Sequence, residues 1–486
     1  MSIRPPAISA CAAVAALAFG FGCGRVVLEP PDEDAGNDAG KDGGTTADGP
    51  GAERRDGDSF AFELLGAPLI FAPTAHGFGL SVVLRQGPPS ALRARAHDEA
   101  LTTWIDLGPP TSPAADVAQW IATRLQPGRR YTYQICAGGG DSAELTCDAL
   151  LYTGSAATAP PPGTAFTFAA MADSHIAPRD PIPPGATVAD DVFGTMEATL
   201  GAVTADIAAA DPDFIVNMGD LLDYHLFGFN TPPPDAKWSR LAYLNYRRMM
   251  GDTLGRAAHF PVIGNWDGES GCNSTEEIQR SMTQRLLYIP APAPGTHAEG
   301  GSANQDYYAF TWGDALFVVL NVMTYTPSCH LLGLLPGLPD DWTLGAAQLA
   351  WLEKTLANAT SKWRFTFIHH TVGGKAGNDI DSAYGRGGGQ AARIGEQSLV
   401  HDLLLRHGVQ IFFYAHDHVF TDMVVDGIHY TLPGSAGAPW KFTTAETGYT
   451  DFWPDSGFGR VRVEPTSVTV DFVAMGGSVI SSYTLR

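Results

Sequence analysis

Positive charge is what this chain most lacks. Thirty lysines and arginines stand against 52 aspartates and glutamates, for a formal net charge of -22 over 486 residues. A nucleic-acid binder needs a basic stripe to meet phosphates, so this balance argues against that class. It does not argue against a phosphate-bearing ligand, because a bound cation reverses the local field whatever the global sign. Cysteine is scarce too: there are six, none in CxxC spacing. Apolar runs are short. "AISACAAVAALAFGFG" near the start is too brief and too rich in Ala and Gly for a good membrane span. No long internal repeat occurs. "GGKAGND" and "GRGGGQAAR" do not match Gly-x4-Gly-Lys-Ser/Thr and read as flexible loops rather than a nucleotide cradle. What is abundant is apolar content, 44%, enough for a large core in a chain too long for a single small domain.

Residues 1–23 read as an export signal. Arg4 supplies the positive start, the Ala-rich run the apolar core, and "GFGCG" places Cys23 where a bacterial lipoprotein leader is cleaved and lipidated, although Gly20 stands where such sites favour Leu. Plain cleavage is the alternative. The expected location is the periplasm, the outer membrane through a lipidated Cys23, or the exterior. Residues 24–58 are rich in Asp, Gly, Ala and Pro and cannot bury enough surface to offset ordering entropy, so an acidic disordered linker is expected. Beyond the leader with its Cys11 and Cys23, four cysteines remain, an even set that suggests disulfides. Cys136 and Cys147 flank a hairpin-like "AGGGDSAELT" and are expected to pair, with Cys272 and Cys329 as the other pair.

Residues 59–163 show short strand candidates between Pro/Gly turns: "LSVVLRQ", "LRARAHD", "TTWIDL" and "RYTYQICAG". The turn in "LQPGRRYTYQI" resembles that of fibronectin type III sandwiches, so a small all-β sandwich is expected, ending at "TAPPPGT". Residues 164–486 then alternate strands and helices, which favours a layered α/β domain. "YYAFTWGDALFVVLNV" reads as a hairpin turning at Gly313-Asp314. "TLGAAQLAWLEKTLANA" reads as a helix with Thr343 as N-cap. Trp238, Tyr243 and Tyr246 have helical spacing and read as core.

Polar clusters close five predicted strands: Asp173-Ser174-His175, Gly219-Asp220, Gly264-Asn265, His369-His370 and His416-Asp417-His418. In "YAHDHVF" the two histidines are spaced to face one side of a strand end. A hydrogen-bonded surface pair is the plainer reading of that stretch alone. Ligands of open α/β sheets gather at the carboxyl ends of strands, so five such ends can converge. Imidazoles, carboxylates and one amide suit Zn, Fe or Mn and are oxygen-rich for a structural zinc site.

The ordered set Asp-x-His, Gly-Asp, Gly-Asn-x-Asp, His, x-His-x-His resembles the calcineurin-like metallophosphoesterases over roughly residues 165–486. The preceding sandwich resembles the purple acid phosphatase branch. The resemblance implies a four-layer α/β/β/α sandwich and two divalent or mixed-valence metal ions. Asp173, His175 and His418 would hold one and Asn265, His369 and His416 the other, with Asp220 bridging. His369 is chosen over His370 by its place in the motif, and His370 would face phosphate or lie behind the ligands.

Two departures stand out. Trp266 occupies the place of a histidine that contacts phosphate, and an indole cannot act as a general acid near neutral pH. His370 and His225 are therefore the candidate proton donors. Asp223 stands where purple phosphatases carry a tyrosine, which leaves the metal pair open. The expected function is hydrolysis of phosphate monoesters by metal-bound hydroxide, with Lys375 or Arg386 near the substrate phosphate. The alternatives are a phosphodiesterase of the same fold and a surface metal- or phosphate-binding protein with little turnover.

Overall fold

In the segment LRARAH, Leu92 to His97, every second side chain is buried, the signature of a strand with one face on a core. A computed structural model shows what that core is. It describes residues 62–98, 103–137, 147, 149–178, 190–224, 234–271, 273–292, 301–302, 304–323, 343–370, 390–438, 440–441, 449 and 451–486. The expected leader and linker, Cys272, Cys329, His225, Lys375 and Arg386 lie outside the described residues.

Nine strands come first: β1 (Glu63–Leu64), β2 (Leu69–Thr74), β3 (Gly77–Gln86), β4 (Leu92–His97), β5 (Ile105–Asp106), β6 (Thr111–Ala114), β7 (Val117–Ala122), β8 (Arg130–Ala137) and β9 (Ala149–Ala157). They form two sheets, β1-β3-β7-β6 with β2 added to β3, and β5-β4-β8-β9. The expected strands fall in β3, β4, β5 and β8. Tyr131 at the start of β8 turns its hydroxyl back to accept the Gln126 N–H at 2.9 Å, which pins the Pro-Gly turn to the strand. A disulfide joins Cys136 to Cys147.

The remainder alternates: β10 (Phe166–Met171), α1 (Asp190–Ala210), β11 (Phe214–Asn217), α2 (Ala236–Met250), β12 (Ala258–Pro261), α3 (Thr275–Tyr288), β13 (Tyr308–Trp312), β14 (Ala315–Val319), α4 (Gly345–Ala357), β15 (Trp363–Phe367), α5 (Gln390–Arg406), β16 (Ile411–Phe413), β17 (Phe420–Val425), β18 (Ile428–Pro433), β19 (Gly457–Val463), β20 (Val468–Ala474) and β21 (Val479–Leu485). Two six-stranded sheets result, β12-β11-β10-β19-β20-β21 and β13-β14-β15-β16-β18-β17. β10, β11 and β12 are parallel neighbours, as are β14, β15, β16 and β18. β13 and β14 form the expected hairpin.

The sheets face each other across a phenylalanine core. Phe168 and Phe214 from one sheet meet Phe317 of the other at 5.3 and 5.2 Å between centroids, and Phe260 stacks on Phe310 at 3.8 Å. On the outer face of the first sheet, α1 lays down Phe193, Met196, Leu200, Val203 and Ile207, all buried, at the three- and four-residue spacing of a helical stripe. Trp238, Tyr243 and Tyr246 of α2 join that layer. Leu352 and Leu356 of α4 with Val400, Leu403 and Leu404 of α5 cover the second sheet. The result is α/β/β/α. Helix α4 corrects one expectation: Leu344, not Thr343, occupies its cap, without a side-chain cap bond. The Leu344 N–H instead meets the Glu396 carboxylate of α5 at 2.8 Å. A contact from a distant helix has replaced a local hydroxyl.

Residues Ala61–Arg486 make one compact unit. The sandwich is tied to the α/β layers by Arg247 of α2, which is buried and donates to the Ser81 carbonyl at 2.6 Å, the Ser81 hydroxyl at 3.2 Å and the Tyr288 carbonyl at 3.2 Å. Tyr133 adds a buried bond to the Gly255 carbonyl at 2.9 Å. No described helix is long and apolar enough to cross a membrane.

Candidate metal centre

Each polar cluster follows the carboxyl end of a parallel strand: Asp173 after β10, Asp220 after β11, Asn265 after β12, His369 after β15 and His416 after β16. The first two loops continue side by side past their strands, with the Asp173 N–H on the Gly219 carbonyl at 3.0 Å and the His175 N–H on the Asp220 carbonyl at 2.8 Å. The backbone then bends unusually. Asp173, His175, Asp220, His416 and His418 all have positive φ, from 47° to 78°. Such residues cost about 1–3 kcal/mol each and persist only where the surroundings hold them. β16 ends at Phe413, so His416 and His418 are presented by two left-handed turns rather than by the strand alternation expected from their spacing.

Two glycines let the loops close. A Cβ on Gly219, at φ +93°, would lie 2.6 Å from the Gly264 nitrogen and 2.9 Å from Nδ1 of His369. A Cβ on Gly264 would lie 2.1 Å from Oδ1 of Asp220. Only a backbone without side chains fits between these ligands.

The side chains converge. Asp173, His175, Asp220 and His418 each offer an atom to one group spanning no more than 4.8 Å, and Asp220, His369 and His416 to a second. Asp220 belongs to both. His175 Nε2 and His418 Nε2 are 3.2 Å apart, and Asp220 Oδ2 lies 3.5 Å from the former. In the second group, Asn265 Oδ1 is 2.9 Å from both His369 Nε2 and His416 Nδ1, and Asp220 Oδ2 is 3.2 Å from His369 Nε2. All seven expected ligands meet in one place.

Surrounding bonds choose the tautomers. A carbonyl only accepts, so His369 Nδ1 must donate to Met218 at 2.8 Å and His418 Nδ1 to Trp440 at 3.0 Å. Each ring then turns an Nε2 lone pair inward when neutral, the arrangement that orients metal-binding imidazoles. Oδ1 of Asp220 accepts the Trp266 N–H at 2.7 Å, while its Oδ2 and both oxygens of Asp173 are buried without a hydrogen-bond donor. Buried charges are ordinarily paired or bound to metal.

The field of the site calls for positive charge. Burial alone would lower His369, yet Asp220 and Asp173 outweigh it and hold the imidazole at about 9. Burial pushes Asp173 up to about 7, against the pull of His369. Burial and the neighbouring His175 keep His418 well below its ordinary value. Unpartnered carboxylate oxygens, inward lone pairs and a mixed N/O donor set fit divalent cations.

His370 is buried but belongs to neither group. Its ring lies 4.3 Å from that of His416. Three further contributors were visible in the sequence but carried no assigned role. Asp267, in "GNWD", accepts the N–H groups of Asp220 at 3.1 Å, Leu222 at 3.0 Å and Gly264 at 2.8 Å. Asp223 is buried behind His175, 3.9 Å from its Nδ1. "PGSAGAPW" borders the centre, with Gly437 and Ala438 N–H groups on the Asp173 carbonyl at 3.0 and 2.9 Å. Its follower Lys441 is brought down to about 8 by burial, against the pull of Asp173. A Gly-rich segment after a strand was the available signal for the last. Asp267 closes the Gly-Asn-x-Asp motif, but its bonds to Asp220 and Leu222, like the approach of Asp223 to His175, cross between loops.

Comparison with known proteins agrees with this geometry. The family model for calcineurin-like phosphoesterase matches residues 166–420. Among solved structures, that of PhoD superposes with a TM-score of 0.65 at 15% identity, covering 87% of this chain and 90% of the other. That span exceeds what residues 164–486 alone supply, so the likeness of fold includes the leading all-β region. A dimetal phosphatase from Danio rerio aligns at 13% identity with a TM-score of 0.43, covering 66% of this chain and 98% of that one. No curated protein matches the sequence. The family match covers more than half of the chain, which therefore belongs to the calcineurin-like phosphoesterases, metal-dependent hydrolases of phosphoric esters.

Proposed function

We propose that this chain hydrolyses small phosphate monoesters at a two-cation centre held by Asp173, His175, Asp220, Asn265, His369, His416 and His418. One observation carries the reading: six Asp and His side chains, with Asn265 beside two of them, meet from five loops with carboxylate oxygens buried and unpartnered. Two bound divalent cations supply Lewis acidity and lower the pKa of water. The chain's own groups do the rest. Asp220, fixed through Oδ1, keeps Oδ2 for both groups. Met218 and Trp440 hold two imidazoles in one tautomer. His370, beside His416, supplies a proton to the departing oxygen or touches the phosphate, and His225 is the other candidate. Fe, Zn and Mn all suit the donor set.

The leader and acidic tether support export with lipid on Cys23, and the mass of the mature N-terminus tests this. The Tyr131 turn supports a fibronectin type III-like sandwich at residues 59–163, with the hydrolase domain at 164–486.

The decisive experiment compares p-nitrophenyl phosphate with bis-p-nitrophenyl phosphate, before and after chelation, with metal content measured alongside. Faster monoester hydrolysis, lost on chelation and restored by metal, is expected. Preference for the diester would move the reading to a phosphodiesterase. A fully metallated protein that turns over neither would leave a metal- or phosphate-binding surface protein.

A further inference from the structure

Most of the metal centre is buried: Asp173, His175, Asp220, Asn265, His369 and His418 are closed off from solvent. His416, Trp266, Trp440 and Lys441 are half-buried, and so mark where the cluster meets solvent. Two of these four are indoles. Trp266 packs on His175 with ring centroids 5.3 Å apart, Trp440 does so at 4.9 Å, and the indoles stand 5.7 Å from each other at 44°. Trp440 also lies 5.4 Å from His418. Both are fixed to the centre through their backbones. The Trp266 N–H is held by Asp220, and the Trp440 carbonyl holds His418.

We infer that Trp266 and Trp440 form an aromatic subsite that selects phosphate esters with a planar aromatic leaving group. The inference rests on the phosphoesterase reading and names its substrate class. Two tilted, half-exposed rings packed on His175 at the edge of the cluster offer a planar group an apolar wall. Aromatic contacts prefer offset or edge-on arrangements and add about 0.5–1.5 kcal/mol beyond area burial. Because backbone bonds to Asp220 and His418 set the ring positions, the wall is preorganised relative to the ligands. The chemistry agrees. Water oxygen bonds to phosphorus as the ester P–O bond breaks, and the leaving oxygen takes the electron pair. Neither indole can protonate it. An aryloxide delocalises that charge and so depends less on a proton from His370 or His225 than a departing alkoxide does.

Two measurements on the metal-loaded chain test this. The first is the ratio of kcat/KM for phenyl phosphate to that for glycerol phosphate. The second is the affinity for phenylphosphonate against methylphosphonate, followed by tryptophan fluorescence or calorimetry and independent of turnover. In Trp440→Ala, with metal content matched to wild type, both preferences are expected to fall about tenfold. Trp440→Phe should restore most of each, and Trp266→Ala should act in the same direction. Unchanged preferences in metallated Trp440→Ala and Trp266→Ala, or equal affinity of the wild type for the two phosphonates, would overturn the subsite. If the wild type hydrolyses no ester, the hydrolase reading fails, while the phosphonate comparison still decides the aromatic one.

Discussion

Asp267 holds Asp220 in place from behind. Its carboxylate accepts the Asp220 N–H at 3.1 Å and, through its other oxygen, the Leu222 N–H at 3.0 Å. Those two bonds join the loops after β11 and β12, and the Gly264 N–H makes a third at 2.8 Å within the β12 loop itself. Removing the acceptor leaves three buried donors. Asp267→Ala should cost about 3 kcal/mol of stability and lower metal affinity some 10- to 100-fold. Asn should fare little better, since its single acceptor cannot serve donors on both sides. Urea unfolding and metal titration check this; an unchanged affinity would refute the clamp.

Asp220 is the carboxylate common to both groups. Asp220→Asn is expected to lose hydrolysis by more than the about 100-fold typical of an outer-shell partner, while retaining far-UV circular dichroism. Cations that bind only the folded chain stabilise it by RT ln(1 + [L]/Kd), about 2.7 kcal/mol at a hundredfold excess over Kd. Chelation should therefore lower the wild-type melting temperature, and restoring metal should recover it. In Asp220→Asn the metal-dependent shift should shrink. A melting temperature indifferent to metal would count against the centre.

His259 gives a pH signature away from the ligands. It is buried on β12, where burial and then Arg247 lower its pKa from 6.5 to about 3. Asn217 donates to the Tyr246 oxygen at 2.8 Å, and Tyr246 meets His259 Nε2 at 2.8 Å. The tyrosine proton thus points at a neutral imidazole. Between about pH 3 and 6.5 the unfolded chain binds a proton here and the folded chain does not. Stability therefore rises with pH across that window and is lost as pH falls through it, by roughly 5 kcal/mol in full. His259→Gln, which does not titrate there, should flatten part of the slope in urea unfolding between pH 4 and about 6.5. An unaltered slope would exclude His259 as its source.

Arg247 ties the sandwich to the α/β layers through carbonyl and hydroxyl acceptors that only a multidentate donor satisfies. Burial lowers its pKa to about 10. Arg247→Met fills much of the space but leaves buried acceptors unpaired, and should cost about 3 kcal/mol. Unfolding monitored by urea and by proteolysis between the sandwich and β10 reports it. A loss below about 0.5 kcal/mol, the level of an ordinary surface change, would show that the docking rests on other contacts.

The chain by itself determined the alternation of strands and helices, the five polar strand ends and the hairpin at Gly313-Asp314. Side-chain period and turn chemistry are local and survive without knowledge of neighbours. The polar residues at those strand ends, in their order, carried the resemblance that named the seven candidate ligands. Only the tertiary structure decided how they are aimed. His416 and His418 face the centre through left-handed turns that their spacing does not encode, and His369, held through Nδ1 by the Met218 carbonyl, enters a group that His370 does not. Asp267 reaches Asp220, Asp223 reaches His175, and Trp440 reaches His175 and His418, each from a different loop. Leu344 replaces Thr343 at a helix start because Glu396 reaches it from another helix. Such contacts arise when loops are packed against one another, so no stretch of sequence read alone contains them.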